Sequence, residues 1–173
     1  MVNNIDIQFK EKQKFTQWWI WVILGILGSL AIYGVFKQLF LGEQFGNKPM
    51  SNVGIVIFTL FIFGLIYFSW YMTLITEINA VGIEMRFIPF VKKSIRWSEL
   101  KSAKIVNYGF VGYGIRFGSK YGTVYNMNGN RGLAIELKNG KKIVIGTQKE
   151  TELLEIIENI SLAPQVVSQA EFE

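Results

Sequence analysis

The apolar positions fall into three patterns along the chain. Two long runs come first: Phe15 to Phe36 holds 22 residues without a charge, and Pro49 to Thr76 holds 28. Short alternating or β-branched stretches follow, cut by Gly, Asn and Pro: Met72–Val81, Ile83–Phe90, Ser94–Trp97, Ala103–Tyr108, Ile115–Phe117, Thr123–Met127, Leu133–Leu137 and Lys141–Ile145. Such runs predict strands of a bent sheet, an open sandwich or a barrel. Leu133, Ile135 and Leu137 alternate with Ala134 and Glu136, and Asn139-Gly140 predicts a tight type I′ turn between that strand and the next. From Leu153 the period changes. Leu153, Leu154, Ile156, Ile157 and Ile160 form a helical stripe, and Thr147 three residues before Glu150 suits a capping box, so a helix is expected over Gln148–Ser161.

Each long run exceeds the roughly 20 helical residues that a bilayer core of about 30 Å requires. Backbone polar groups cannot be left unpaired in lipid, so apolar runs of this length predict helices. A cleaved signal peptide is the rival reading of the first run, but its apolar stretch is too long and lacks a small-residue cleavage site. Two buried core helices are the rival for both, and so short a chain has little surface to cover them. Trp18, Trp19 and Trp21 open the first run and Tyr67, Trp70 and Tyr71 close the second, as an interfacial aromatic belt requires. Lys10, Lys12 and Lys14 precede the pair, and Arg86, Lys92, Lys93 and Arg96 follow it. The connector holds only Lys48, with Lys37 at its border. Basic flanks stay in the cytoplasm, so both termini are expected there.

The expected organisation is a cytoplasmic segment (1–14), a first span (15–40), a short extracytoplasmic loop (41–52), a second span (53–76), a cytoplasmic domain (77–161) and a flexible tail (162–173). In the first span Gly25, Gly28, Ala31 and Gly34 recur every third residue, with Ser29 four after Gly25. Small residues on one stripe allow close helix packing, here between the two spans or against a partner helix. Neither apolar run, Phe15–Phe36 or Pro49–Thr76, carries a charged side chain, which argues against a transport path.

Strands that end in one helix and are fed from a membrane span form a recognisable order. With Glu77-Ile78-Asn79-Ala80-Val81-Gly82-Ile83, Ile95-Arg96-Trp97-Ser98-Glu99-Leu100 and the Asn139-Gly140 hairpin, Ile75 to Ile160 resembles the pleckstrin-homology-like domains of small bacterial membrane proteins. Gly114-Ile115-Arg116, Tyr125-Asn126, Gly129-Asn130, Gly140-Lys141-Lys142 and Ile145-Gly146-Thr147-Gln148-Lys149 resemble an uncharacterised subfamily with two N-terminal transmembrane helices. The resemblance implies a bent seven-stranded sandwich or partly open barrel capped by the C-terminal α-helix, in a multi-pass protein of the bacterial inner membrane. It implies a binding platform and no activity.

Composition narrows the chemistry. The 173 residues include no Cys, no His and a single Asp, Asp6. Disulfides, Cys or His metal sites, Cys nucleophiles and Ser-His-Asp triads are therefore excluded. No cofactor, metal or catalytic residue is expected. An enzyme using Glu77, Glu84 or Glu99 as a base has little support, because no two acids are spaced for paired work.

Charge is sorted. Glu77 to Lys149 holds 13 Lys and Arg against 4 Glu, whereas Glu150 to Glu173 holds 6 Glu and no base. One reading is ordinary solubility charge, with acids at a helix start that suit its dipole. The other is a basic face on anionic lipid, with Arg86, Lys92, Lys93 and Arg96 best placed. A specific inositol-phosphate pocket is disfavoured, since the first hairpin loop has no base. Nucleic acid is not expected as a partner, and neither is a small-molecule substrate.

Tyr108 to Gly132 carries seven glycines. Gly109, Gly112 and Gly114 superficially match a phosphate loop, but a strand follows where a helix is needed. Turns and bulges explain most of these glycines. The remainder suits a recognition surface in which Tyr113, Arg116, Tyr121, Tyr125 and Arg131 meet a protein partner. Asn126, Asn128 and Asn130 are expected to hold turns. The expectation is thus a non-catalytic accessory or scaffolding subunit that docks on other membrane proteins or on itself, with an anionic-lipid-sensing module as the alternative.

Overall fold

The computed structural model describes residues 7–109 and 112–162. Of the expected tail, 162–173, residue 162 ends a helix and the rest lies outside the described residues. The chain forms two compact units, one from Thr16 to Tyr71 and one that joins the residues before Thr16 to those from Met72 onward.

The first unit is a helical pair. Helix α1 spans Trp18–Val35 and continues through a π-helical turn, Phe36–Phe40; α2 spans Asn52–Tyr71. Their 23 and 20 residues are long and apolar enough to cross a membrane. Ser51 starts α2: its carbonyl accepts from Ile55 N and its hydroxyl from Gly54 N, the role expected of an N-cap serine. Gln38 ties the turn to α2 through bonds from Nε2 to the Met50 carbonyl (2.7 Å) and Asn52 Oδ1 (2.9 Å). Three members of the small-residue stripe, Gly28, Ala31 and Gly34, are buried in the seam between the helices, where Ile55 and Ile62 of α2 are buried too. Gly25 faces open space, and Ser29 bonds back to the Gly25 carbonyl. The apolar run outlasts the helix, because the chain turns to strand at Thr73.

The second unit holds two sheets. The first has the order β1 (Ile7–Gln13), β2 (Thr73–Asn79), β3 (Gly82–Ile88), β4 (Val91–Arg96), all antiparallel. The second contains β5 (Leu100–Asn107), β6 (Gly114–Ser119), β7 (Gly122–Asn126), β8 (Arg131–Leu137) and β9 (Lys142–Gly146), in the order β5-β8-β9-β7-β6. A single 3₁₀ turn, Trp97–Glu99, links them. Helix α3, Glu150–Leu162, packs over β5 and β1.

The inner faces follow the alternation of the sequence. Leu74 and Ile78 of β2, Ile83, Met85 and Phe87 of β3, and Ile95 of β4 meet Leu133, Ile135, Ile143 and Ile145 of the second sheet, with Leu153 and Ile157 of α3. Each such side chain contributes about 1.5–3 kcal/mol by burial.

Several expectations are corrected. Nine strands are described, in two sheets and no closed barrel, where the sequence marks eight stretches and the resemblance implies seven strands. One addition is β1, from the segment before the helices. The β6–β7 hairpin, inserted between β5 and β8, extends the second sheet by laying β7 parallel to β9. The Asn139-Gly140 turn is not type I′: Gly140 has φ +80° and Asn139 does not have positive φ. Gly140 N donates to the Leu137 carbonyl and Leu137 N to the Lys141 carbonyl, a longer loop with one left-handed glycine. The capping box is not made. The helix starts two residues later than expected, at Glu150, with Leu153 N bonded to the Lys149 carbonyl; Thr147 Oγ1 accepts from Lys149 N in the turn before it, and Glu150 turns away to Arg131.

Candidate functional site

The outer face of the first sheet is a charged surface built by register. Lys10, Glu77 and Glu84 lie in one row across β1, β2 and β3; Lys12, Ile75, Arg86 and Lys92 lie in the next across all four strands. Glu77 joins the rows, with Lys10 Nζ at 2.7 Å from one carboxylate oxygen and Arg86 at 2.9 Å from the other. The hydrogen bond from Lys10, aided by Arg86 and opposed by partial burial, holds the Glu77 carboxyl below its ordinary range. Arg86, Lys92 and Arg96 share this face, as a lipid-facing patch requires. Lys93 does not: it points to the inner side of β4, where its ammonium stands 5.2 Å from the centre of the Tyr125 ring.

The residues expected to bind a partner are dispersed. Tyr125 is 3% exposed and packs on Phe87 in the core, not on a hairpin tip. The inward register of β7 decides this. Tyr113 meets Phe15 edge to face at 6.3 Å. Arg116 is exposed and folds against Gly112. Arg131 is exposed and paired with Glu150 of α3. Tyr121 is half-buried at the β6–β7 turn, with Lys120 Nζ 4.9 Å from its ring centre. The side-chain amide of Asn126 donates to the carbonyls of Gly129 and Gly112, and Asn128 Oδ1 accepts from Gly129 N, so both hold turns.

Phe117, which sequence reasoning passed over as an ordinary strand residue, is 78% exposed on β6. Among the described residues β6 pairs only with β7, so it is an edge of the second sheet. Gly118 (φ +76°) follows at once, and the pairing slips between Arg116 and Ser119. A short bulged edge of this kind resists indiscriminate strand addition, which leaves the side chain of Phe117 as its contact feature.

A second feature was also missed. On the outer face of the second sheet a cleft of about 240 Å³ is lined by Ser102 and Lys104 of β5, Lys120 and Tyr121 of the β6–β7 turn, Glu136 of β8 and Lys142 of β9. Ser102, Glu136 and Lys142 are register partners across three strands. Its apolar side belongs to a small cluster in which Tyr121 and Ala134 pack on Tyr108, Val124 and Val144. Burial pushes the Tyr108 phenol above its ordinary range, so it stays neutral. Lys101 bonds Glu136 at 2.8 Å and, with Lys142 and Lys104, holds that carboxyl below its usual value. The cleft lysines Lys104, Lys120 and Lys142 are far apart in sequence, and the sheet register brings them together.

Comparison with protein-family models, with curated proteins and with solved structures found no match to this chain.

Its function therefore has to be read from these surfaces. On the charged face Glu77 stands opposite Glu84 and is engaged by two cations; in the cleft Glu136 is engaged by one. Both present fixed positive charge, which binds anions or acidic surfaces.

Proposed function

We propose that the chain is an integral membrane protein whose helical pair lies in the bilayer and whose β unit is a cytoplasmic interaction domain of an accessory or scaffolding subunit. Large apolar side chains such as Phe40, Leu60 and Phe61 stand well exposed on the helical pair. That exposure is costly in water and costs nothing in lipid. Two sheets followed by a packed C-terminal helix support a pleckstrin-homology-like reading of the β unit, a fold that serves as a platform. The basic flanks of the spans support a cytoplasmic position for it.

The observation that carries the docking role is Phe117, an aromatic ring almost fully in solvent beside Arg116 on a sheet edge. Aromatic and arginine side chains dominate the binding energy of protein interfaces. The partner is another membrane protein or a second copy of this chain. Native-level purification in mild detergent is expected to yield a stoichiometric complex that Phe117→Asp dissolves. A monomer at native abundance, unchanged by that substitution, overturns the reading.

A second reading has its own observation: the Lys12–Arg86–Lys92 row faces outward on the sheet whose strands β1 and β2 continue into the helical pair. Juxtamembrane bases attract anionic lipid by about 1 kcal/mol each. Full-length protein in mixed micelles is then expected to bind phosphatidylglycerol in a salt-sensitive way, and Arg86→Glu with Lys92→Glu to abolish the difference from neutral lipid.

A further inference from the structure

We propose that the cleft on the outer face of the second sheet is an anion site that takes a phosphate or diphosphate group, free or carried as a headgroup. Three lysines from three separate elements, Lys104 of β5, Lys120 of the β6–β7 turn and Lys142 of β9, converge on one cavity of about 240 Å³, with the Ser102 hydroxyl on the same wall. Lysine acts on phosphate as a point charge, and several converging ammonium groups suit a multivalent anion better than a single carboxylate. The volume falls below the roughly 300–1,000 Å³ of drug-sized pockets, so a compact group fits and a polymer does not. The one acid in the wall, Glu136, is bridged by Lys101, so its repulsion is offset.

The turn that brings Lys120 and Tyr121 to the cleft is built for its position. Ser119 Oγ accepts from Tyr121 N (3.2 Å) and donates to the Gly122 carbonyl (2.8 Å). Gly122 has φ +80°, and a Cβ there would stand 2.1 Å from the Lys142 carbonyl oxygen. Only glycine lets β7 approach β9 this closely, and that approach sets Lys120 beside Lys142. The inference is independent of the Phe117 edge and of the Arg86–Lys92 face.

Full-length protein in neutral detergent, titrated with inorganic pyrophosphate by calorimetry, tests it. One saturable site per chain is expected, weakened by salt. Lys120→Glu with Lys142→Glu should reduce affinity by about tenfold or more, because like charge replaces complementary charge. Lys92→Glu with Arg96→Glu, on the other sheet, should leave it unchanged. A second arm uses micelles doped with phosphatidic acid: binding there alone, lost in the Lys120/Lys142 variant, identifies a lipid headgroup as the source. Equal loss in both double variants would show diffuse charge attraction and overturn the proposal, as would no binding in either arm.

Discussion

Glu11 and Thr147, 136 residues apart, are joined by a 2.6 Å hydrogen bond from the Thr147 hydroxyl to the Glu11 carboxylate. The second carboxylate oxygen accepts from Gln148 N at 2.7 Å, and two residues on, Gln13 Nε2 donates to the Gly146 carbonyl at 2.7 Å. Both side chains are buried. Strand β1 is thus held by its neighbour β2 and, through polar side chains, by the segment that leads from β9 into α3. Hydrogen bonds to a charged, buried acceptor contribute about 1.5–3 kcal/mol, and removing the acceptor leaves the donors unpaired. Glu11→Ala is expected to destabilise the β unit by about that amount. Glu11→Gln, which keeps one acceptor oxygen, should cost less. Thermal unfolding of the full chain in detergent measures both, and equal stability of Glu11→Ala and the parent chain would refute the role.

The same strand sets a topological condition. Because β1 and β2 are hydrogen-bonded neighbours and the helical pair connects them, both ends of that pair must emerge on one side of any bilayer it crosses. The chain has no cysteine, so each introduced thiol is the only one. Lys12→Cys and Ser98→Cys, both at exposed positions, should react with an impermeant maleimide from the same side of sealed vesicles, and Asn47→Cys in the connector from the other. Labelling of Lys12→Cys and Ser98→Cys from opposite sides is incompatible with this fold in a membrane.

The glycines of α1 make a graded test of the helix seam. A Cβ at Gly34 would stand 3.0 Å from both Ile55 Cδ1 and Phe45, and one at Gly28 3.3 Å from Ile66 Cδ1; at Gly25 nothing lies within 4 Å. Leucine needs far more room than a single Cβ. Gly34→Leu is therefore expected to force the helices apart at a cost of about 1–3 kcal/mol, Gly28→Leu to act in the same direction, and Gly25→Leu to be tolerated. Cross-linking of an Ala31→Cys/Thr59→Cys pair reads the seam directly, since Thr59 Oγ1 stands 3.4 Å from the Ala31 carbonyl. Cross-linking that is blocked by leucine at 25 and not at 34 would reverse the expectation.

How much of this was legible follows from which signals are local. The helical pair was, because a run of apolar residues needs no partner to be recognised. So was the stripe of α3, of which Leu153 and Ile157 reach the core, although Leu154 points outward. Strand β1 was not. Its inward positions are Phe9, Glu11 and Gln13, so the apolar alternation stops where the strand turns to hydrogen bonds with residues 146–148. The cleft was illegible for another reason: Lys104, Lys120 and Lys142 meet only because β7 pairs in parallel with β9, a long-range register that no local period encodes. Tyr125, expected on an exposed tip, lies in the core, and Phe117, for which the sequence suggested no place, stands in solvent. One strand position more or less decides which face a ring takes, and in a stretch with seven glycines the local pattern is too weak to say.

Glu77 ties stability to acid pH. Its carboxyl titrates below its ordinary value of 4.5 because Lys10 and Arg86 favour the charged form. A folded-state value below the unfolded one stabilises the fold at pH above about 4.5, and that contribution disappears as pH falls through the folded value. Lys10 and Arg86 are partly exposed, at 59% and 39% of their side chains, so the contribution is on the order of 1 kcal/mol. Glu77→Gln should therefore be less stable than the parent chain at pH 7, and the difference should shrink as the pH falls below about 4.5. High salt should narrow the gap at pH 7, since both cations reach solvent. Unfolding curves of the two proteins at falling pH, at low and high salt, decide it: a gap that neither narrows with acid nor responds to salt would mean that Glu77 acts through packing and not through its charge.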